Sequence, residues 1–268
     1  MTYRWSRGKH AMITGASDGI GRELARSLVG SCRKLTLVAR NKDGKLDDVV
    51  KELKDKTASL PAKTEIRSHS LDINDLAGMR ELVRGIYDND RDQIDLLINS
   101  AGGSHIYAPF EALSDYDIER IFDTNARSPI LLLRELLPRM KNNEYTEDEQ
   151  KRAQVVFLSS RSAERSLPNL SIYSASKGSI EKLCESLRVE YAPYRIAFTV
   201  INPGSTNTAF TKDWTREARE AHNAESMTVE ESITPIINVI DSRFSVNKVS
   251  YESIQQWINE PVTVKLWK

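Results

Sequence analysis

Residues 171–177 read SIYSASK. Tyr173 and Lys177 are four positions apart. On a helix that spacing puts a phenol and an ammonium on one face, a turn from each other. The residues between them are small, so a flat ligand or another chain segment can approach closely. A nearby cation favours the phenolate, so the spacing predicts a Tyr173 pKa below its reference of about 10. A phenol tuned toward neutrality can donate or accept a proton. The same pair on a solvated surface would do neither, and Tyr-x-x-x-Lys is a common pattern. What surrounds the pair decides between the two readings.

A second candidate site lies near the start of the chain. Thr14–Gly21 reads TGASDGIG; it follows the apolar run His10–Thr14 and opens a stretch, Gly19–Leu28, with helical apolar spacing. A glycine-rich turn between a strand and a helix is the context of a dinucleotide fingerprint. The glycines give a tight turn and close backbone approach, and a pyrophosphate sits on the helix N-terminus. Gly15, Ser17, Gly19, Ile20 and Gly21 are therefore candidate cofactor contacts. About 20 residues on, an acidic residue at the end of the second strand would bind the ribose hydroxyls of NAD. This chain instead has Val38-Ala39-Arg40. A guanidinium there suits a 2′-phosphate, which points to NADP, with Asn41 as a second polar contact.

Elements must place these residues. Strand-like runs at His10–Thr14, Leu35–Ala39, Thr64–Leu71, Ile94–Ile98, Val155–Ser159 and Ile196–Ile201 alternate with helical spacing at Gly19–Leu28, Leu46–Lys56, Leu76–Tyr87, Asp115–Met140 and Ile172–Tyr191. Such alternation predicts an α/β protein built of βαβ units: one parallel sheet with helices on both faces. No linker divides the chain, so residues 1–268 are read as a single domain. NNEYTEDEQKR, at 142–152, is read as a solvated insertion, and 205–228 as a long polar loop of functional type.

Composition excludes several classes. Lys plus Arg and Asp plus Glu are both 38, so no basic field recruits nucleic acid or an anionic membrane. No run of 18 apolar residues and no apolar leader occurs, and the only cysteines, Cys32 and Cys184, lack metal or redox spacing. The expectation is a cytoplasmic protein without a metal site.

Further stretches join the first two: Leu71-Asp72-Ile73, Asn99-Ser100-Ala101-Gly102, FDTNARSP around Asn125, Ser160 placed 13 residues before Tyr173, and Pro203-Gly204 with Thr208. With TGASDGIG and the Tyr-Lys pair, they resemble, in order and each at an expected strand end, the motifs of the short-chain dehydrogenase/reductase family, most loosely its carbonyl-reductase-like members. The resemblance covers Gly8 to about Phe210 and implies one Rossmann-like, doubly wound parallel sheet of about seven strands with helices on both faces. It implies a catalytic set of Asn125, Ser160, Tyr173 and Lys177. It also implies cofactor contacts at Asp72, Asn99, Ala101, Gly102, Tyr173, Lys177, Pro203, Gly204 and Thr208. The implied activity is hydride transfer between NADPH and the carbonyl of a small aldehyde, ketone or diketone, with a homodimer or homotetramer as the assembly. Asp18 departs from the family, standing where several NADP-preferring relatives carry a basic residue. The C-terminal segment lacks the usual Gly-rich ending, and the final strand is assigned to about 262–267. A helix is expected from Met227 onward. The alternative is a non-catalytic NADP-binding sensor or scaffold on the same fold; an epimerase or dehydratase ranks lower.

Overall fold

The computed structural model describes residues 4–89, 92–104, 106–146, 149–165, 167–224 and 226–253. Its centre is a sheet of seven parallel strands in the order β3-β2-β1-β4-β5-β6-β7. These are β1 (His10–Thr14), β2 (Lys34–Ala39), β3 (Glu65–Ser70), β4 (Leu96–Asn99), β5 (Ala153–Leu158), β6 (Ile196–Pro203) and β7 (Lys248–Tyr251). Strand order reverses between β1 and β4, and in such sheets a crevice opens there beyond the strand C-termini. Gly15 and Ser100, which begin the candidate loops, directly follow β1 and β4.

Alternation along each strand builds two cores. Ala11, Ile13, Leu35, Leu37, Leu96 and Ile98 face one layer of helices: α1 (Gly19–Leu28), α2 (Lys45–Ala58) and α8 (Val229–Ile240). Met12, Val38, Leu97, Val155 and Phe157 face the other: α3 (Leu76–Arg84), α5 (Ser128–Met140) and α6 (Ser171–Tyr191). Each of the larger of these side chains contributes about 1.5–3 kcal/mol through burial. β3 breaks the pattern: its residues are mostly exposed because it is an edge strand.

The helical stretch 115–140, whose spacing allows one helix or two, is two helices, α4 (Asp115–Phe122) and α5, joined by one wide π-turn, Asp123–Arg127. Ser114 starts it with a capping box closed by Asp117. Thr228 and Glu231 do the same for α8, the helix expected from Met227.

The last strand of the described sheet is Lys248–Tyr251; the segment expected to form the final strand, 262–267, lies outside the described residues. Two expectations need correction. The 142–152 segment is not wholly solvated. Asn143 is buried and donates to the Ile94 carbonyl at 2.7 Å. Lys151 is fully buried, with Nζ 3.0 Å from Gln154 Oε1, 3.2 Å from the Ile240 carbonyl and 4.5 Å from the Trp5 ring centre. Charge density marks a solvated surface only where no hydrogen-bonding cage takes the ion in. The 205–228 loop also holds a helix, α7 (Arg216–Ala224), and Asn207 N–Met227 O and Met227 N–Ser205 O bonds of 2.9 Å tie its ends together. Among the described residues no helix is long and apolar enough to cross a membrane.

Candidate active site

A cleft of about 1060 Å³ opens at the C-terminal edge of the sheet. Its floor is the turn after β1, where Gly15, Ser17, Asp18, Gly19 and Ile20 line the wall. Gly21 lies behind that wall, and a Cβ on it would fall 2.3 Å from the Gly15 carbonyl oxygen, so only glycine lets α1 start this close to the loop. Asp18 caps α1 by accepting from the Gly19 N–H at 2.8 Å, and Lys45 of α2 lies 2.7 Å from its other oxygen. Burial works to raise the Asp18 pKa. The Lys45 ammonium and the Gly19 N–H outweigh it and hold the carboxyl below its ordinary value. Lys45 was not found from sequence, because the contact joins two elements 27 residues apart.

Arg40 follows β2 and lines the same end of the cleft, with Nη1 3.8 Å from Asp72 Oδ2. Asp72 also lines it, and accepts from the Asn74 N–H at 2.9 Å. Asn41 does not line the cleft, contrary to expectation. Its side chain is committed to the start of α2, accepting from the Leu46 N–H at 3.0 Å and donating to Asp47 at 2.7 Å. An Asn just before a helix has its own backbone to serve, and a ligand comes second. Asn99 is also off the wall; its amide is buried without a hydrogen-bond partner among the described residues. Ala101, Gly102, Pro203, Gly204 and Thr208 all line the cleft.

The four expected catalytic residues converge from three places. Asn125 comes from the π-turn, Ser160 from just beyond β5, and Tyr173 and Lys177 from successive turns of α6. Ser160, Tyr173 and Lys177 line the cleft. Asn125 lies one layer back: its Oδ1 accepts from the Gly103 N–H at 2.9 Å, and its Nδ2 donates to the Gly103 carbonyl at 2.9 Å and to Ser176 Oγ at 3.2 Å. A π-turn shifts one residue inward relative to a regular helix, which is how Asn125 reaches the turn after β4. Gly102 sits between the groups: a Cβ there would lie 2.8 Å from Asn125 Oδ1 and 3.1 Å from Lys177 Nζ.

Lys177 Nζ donates to the Leu158 carbonyl at 2.8 Å and lies 5.8 Å from the centre of the Tyr173 ring. Burial brings the Lys177 ammonium down to about 8. Burial also pushes the Tyr173 phenol up to about 12, with the Ser160 hydroxyl acting in the other direction. This corrects the expectation of an acidified tyrosine. The cost of taking a phenolate out of water exceeds what the Ser160 hydrogen bond returns. Ser162 was not foreseen either: its hydroxyl donates to Ser160 Oγ at 2.9 Å and its N–H at 3.1 Å. Ser159 turns away, with its hydroxyl 3.4 Å from the Lys177 carbonyl and from Glu181.

Beyond Tyr173 the wall is aromatic. Phe210 packs on Tyr173 with ring centres 5.3 Å apart, and Trp214 packs on Phe210 at 5.7 Å. Trp214 Nε1 donates to Ser104 Oγ at 2.7 Å, fixing the 205–228 loop to the chain after β4.

The sequence model described as short chain dehydrogenase matches residues 9–219, which include all of these groups. The chain belongs to the short-chain dehydrogenase family. Family members similar to it include a dehydrogenase/reductase SDR family protein 7-like of Anopheles gambiae, 35% identical over 206 residues covering 77% of this chain and 62% of that protein. Another is the 3-ketodihydrosphingosine reductase of Bos taurus, 31% identical over 201 residues covering 75% of this chain and 57% of that one. The chain thus spans less than two thirds of the length of either relative. Among solved structures, a putative NAD(P)-dependent gluconate 5-dehydrogenase from Beutenbergia cavernae with bound NADP shares the fold. Its TM-score is 0.77 at 21% identity, over 94% of this chain and 97% of that one.

Proposed function

We propose that the protein is an NADP-dependent carbonyl reductase in which Tyr173 is the general acid. The observation that carries this reading is the convergence of Ser160, Tyr173 and Lys177 on one cleft whose other end is a glycine turn on a helix N-terminus. A dinucleotide fits that cradle. Backbone N–H groups at the start of α1 suit its pyrophosphate, and Arg40, with Lys42 and Lys45 on the same wall, suits a 2′-phosphate. Lys45 also answers Asp18, the acidic residue that departs from the NADP pattern. Gly102, Pro203, Gly204 and Thr208 would hold the nicotinamide half. Asp72 would meet the adenine. The NADP named in the Beutenbergia structure agrees with such a ligand.

The reduced nicotinamide supplies a hydride to the carbonyl carbon. The remaining work falls to this chain. Ser160, oriented by two hydrogen bonds from Ser162, donates to the carbonyl oxygen and holds it beside Tyr173. Tyr173 gives that oxygen a proton. A phenol near 12 is fully protonated at neutral pH, so it is loaded for reduction; alcohol oxidation would need it ionised. Lys177 stabilises the tyrosinate as the proton leaves and would meet the nicotinamide ribose. Asn125 holds the Gly103 turn opposite Lys177. A sensor without catalysis would have no need of this complete set. A dimer or tetramer through α4–α5 and α6 completes the proposal.

The test mixes protein, NADPH or NADH and a panel of aldehydes, ketones and diketones, following loss of the reduced cofactor. NADPH-dependent turnover supports the reading. Tight cofactor binding with no turnover on any member rejects it.

A further inference from the structure

The 205–228 segment forms a built wall on the substrate side of the cleft. Phe210 stands between the proposed acid and Trp214, and His222 of α7 closes on both rings at 6.4 and 5.5 Å. Tyr107 backs Trp214 at 4.7 Å. Leu167 and Leu170 line the cleft as well. The indole is not free to swing, because Ser104, itself fully buried, accepts its N–H. Rings held this way offer a preformed apolar face, and little side-chain entropy remains to be lost on binding.

Charge at this end of the cleft is balanced. Arg161 and Arg165 share Glu252, at 2.9 and 3.0 Å, and Arg161 pairs with Glu164 as well, so two guanidiniums face two carboxylates. Lys212 and Asp213 are neighbours of opposite sign, both exposed. The wall therefore presents no single-signed field to a carboxylate, phosphate or amine. Nor does the aromatic face offer a row of polar groups to a polyhydroxylated chain, whose hydroxyls would lose water without replacement.

We infer that the substrate carries, next to its carbonyl, an uncharged apolar substituent of at least phenyl size, and that this substituent lies on the Phe210–Trp214 face. The inference rests on the carbonyl-reductase reading and narrows it. The carbon takes the hydride from the dihydronicotinamide, the oxygen takes the Tyr173 proton, and the substituent is chemically unchanged. Binding energy from this remote face positions the reacting carbonyl.

The experiment compares four ketones with NADPH and the full chain: acetophenone, methyl hexyl ketone, acetone and dihydroxyacetone. The phenyl ketone, the hexyl ketone or both should show kcat/KM on the order of tenfold or more above the two small ones. A phenyl preference assigns a ring, and equal use of phenyl and hexyl assigns apolar bulk. Trp214→Ala should shrink that advantage through KM, while Trp214→Phe, which keeps a ring, should retain most of it. Leu167→Asp, at an exposed position on the rim, gives an independent reading should the alanine variant fail to fold; it too should lower the phenyl-to-methyl ratio. Equal kcat/KM for all four, or preference for dihydroxyacetone, with turnover still lost in Tyr173→Phe, overturns the inference and leaves the reductase reading intact. Consumption of no ketone by a protein that binds NADPH overturns both.

Discussion

A phenol shielded from water holds its proton more tightly than one in solution, and Tyr173 is such a phenol. Its hydroxyl keeps the hydrogen that a reduced product needs. Lys177 is then the group whose charge changes near neutrality, since burial has brought it down to about 8. Both are protonated below that value. The kcat/KM for carbonyl reduction, followed across pH with saturating NADPH, should therefore be flat below about 8 and fall above it. A profile that rises through that region would assign the proton to another group. At the adenosine end, Arg40→Ala should weaken NADPH binding about tenfold or more while leaving NADH within a few-fold, read by cofactor fluorescence. Which residues meet in the cleft was legible in the sequence: Tyr173 and Lys177 share a helix face by spacing and join Ser160 through the motif resemblance, and the glycine loop follows a strand. The electrostatics were not. Sequence shows which charge is near in the chain, but how much water is excluded depends on Phe210, Leu170 and the loop that brings them in. Asn41's local duty to α2 was not legible for a related reason, because it is invisible until the helix start is fixed.

The π-turn between α4 and α5 is the element that sets the site's depth. It carries Asn125 against the Gly103 backbone, satisfying one buried N–H and one buried carbonyl. Asn125→Ala leaves both unpaired. Each costs about 1–3 kcal/mol, so the midpoint in urea should fall along with turnover. Loss of turnover with unchanged stability would show that the turn holds itself. Sequence spacing marked the 115–140 stretch as helical and allowed two helices, but it did not place the wide turn between them. The 205–228 loop was recognised by length and polarity. The helix α7 within it was not, since α7 buries none of its residues and leaves no apolar period to read.

Across the whole molecule, the parallel sheet followed from alternation of short apolar runs with helical spacing and its doubly wound order from the family resemblance, and the observed order confirms it. The seventh strand escaped because Lys248–Tyr251 is four residues long and half polar. At the opposite edge from the cleft, Lys151 pays for its burial by losing charge: its ammonium is brought down to about 7, far below the value of an exposed lysine. The folded state then binds fewer protons than the unfolded one between about pH 7 and 10.4, so stability rises with pH there. Lys151→Met removes that dependence. The variant's stability relative to the native chain should be highest at or below pH 7 and decline toward pH 10, measured by denaturant melts; a constant difference would mean the lysine titrates normally.

The central claim is a two-part delivery: hydride to carbon from the nicotinamide and proton to oxygen from Tyr173. It is tested most directly by single turnover with NADPH deuterated at the transferring position of C4, using the native chain and Tyr173→Phe on the best ketone. The account predicts an alcohol with deuterium on its carbinol carbon from the native chain, and none from the variant even when NADPH is supplied at a concentration that saturates it. Equal product from both, or a carbinol carbon without deuterium, would contradict it.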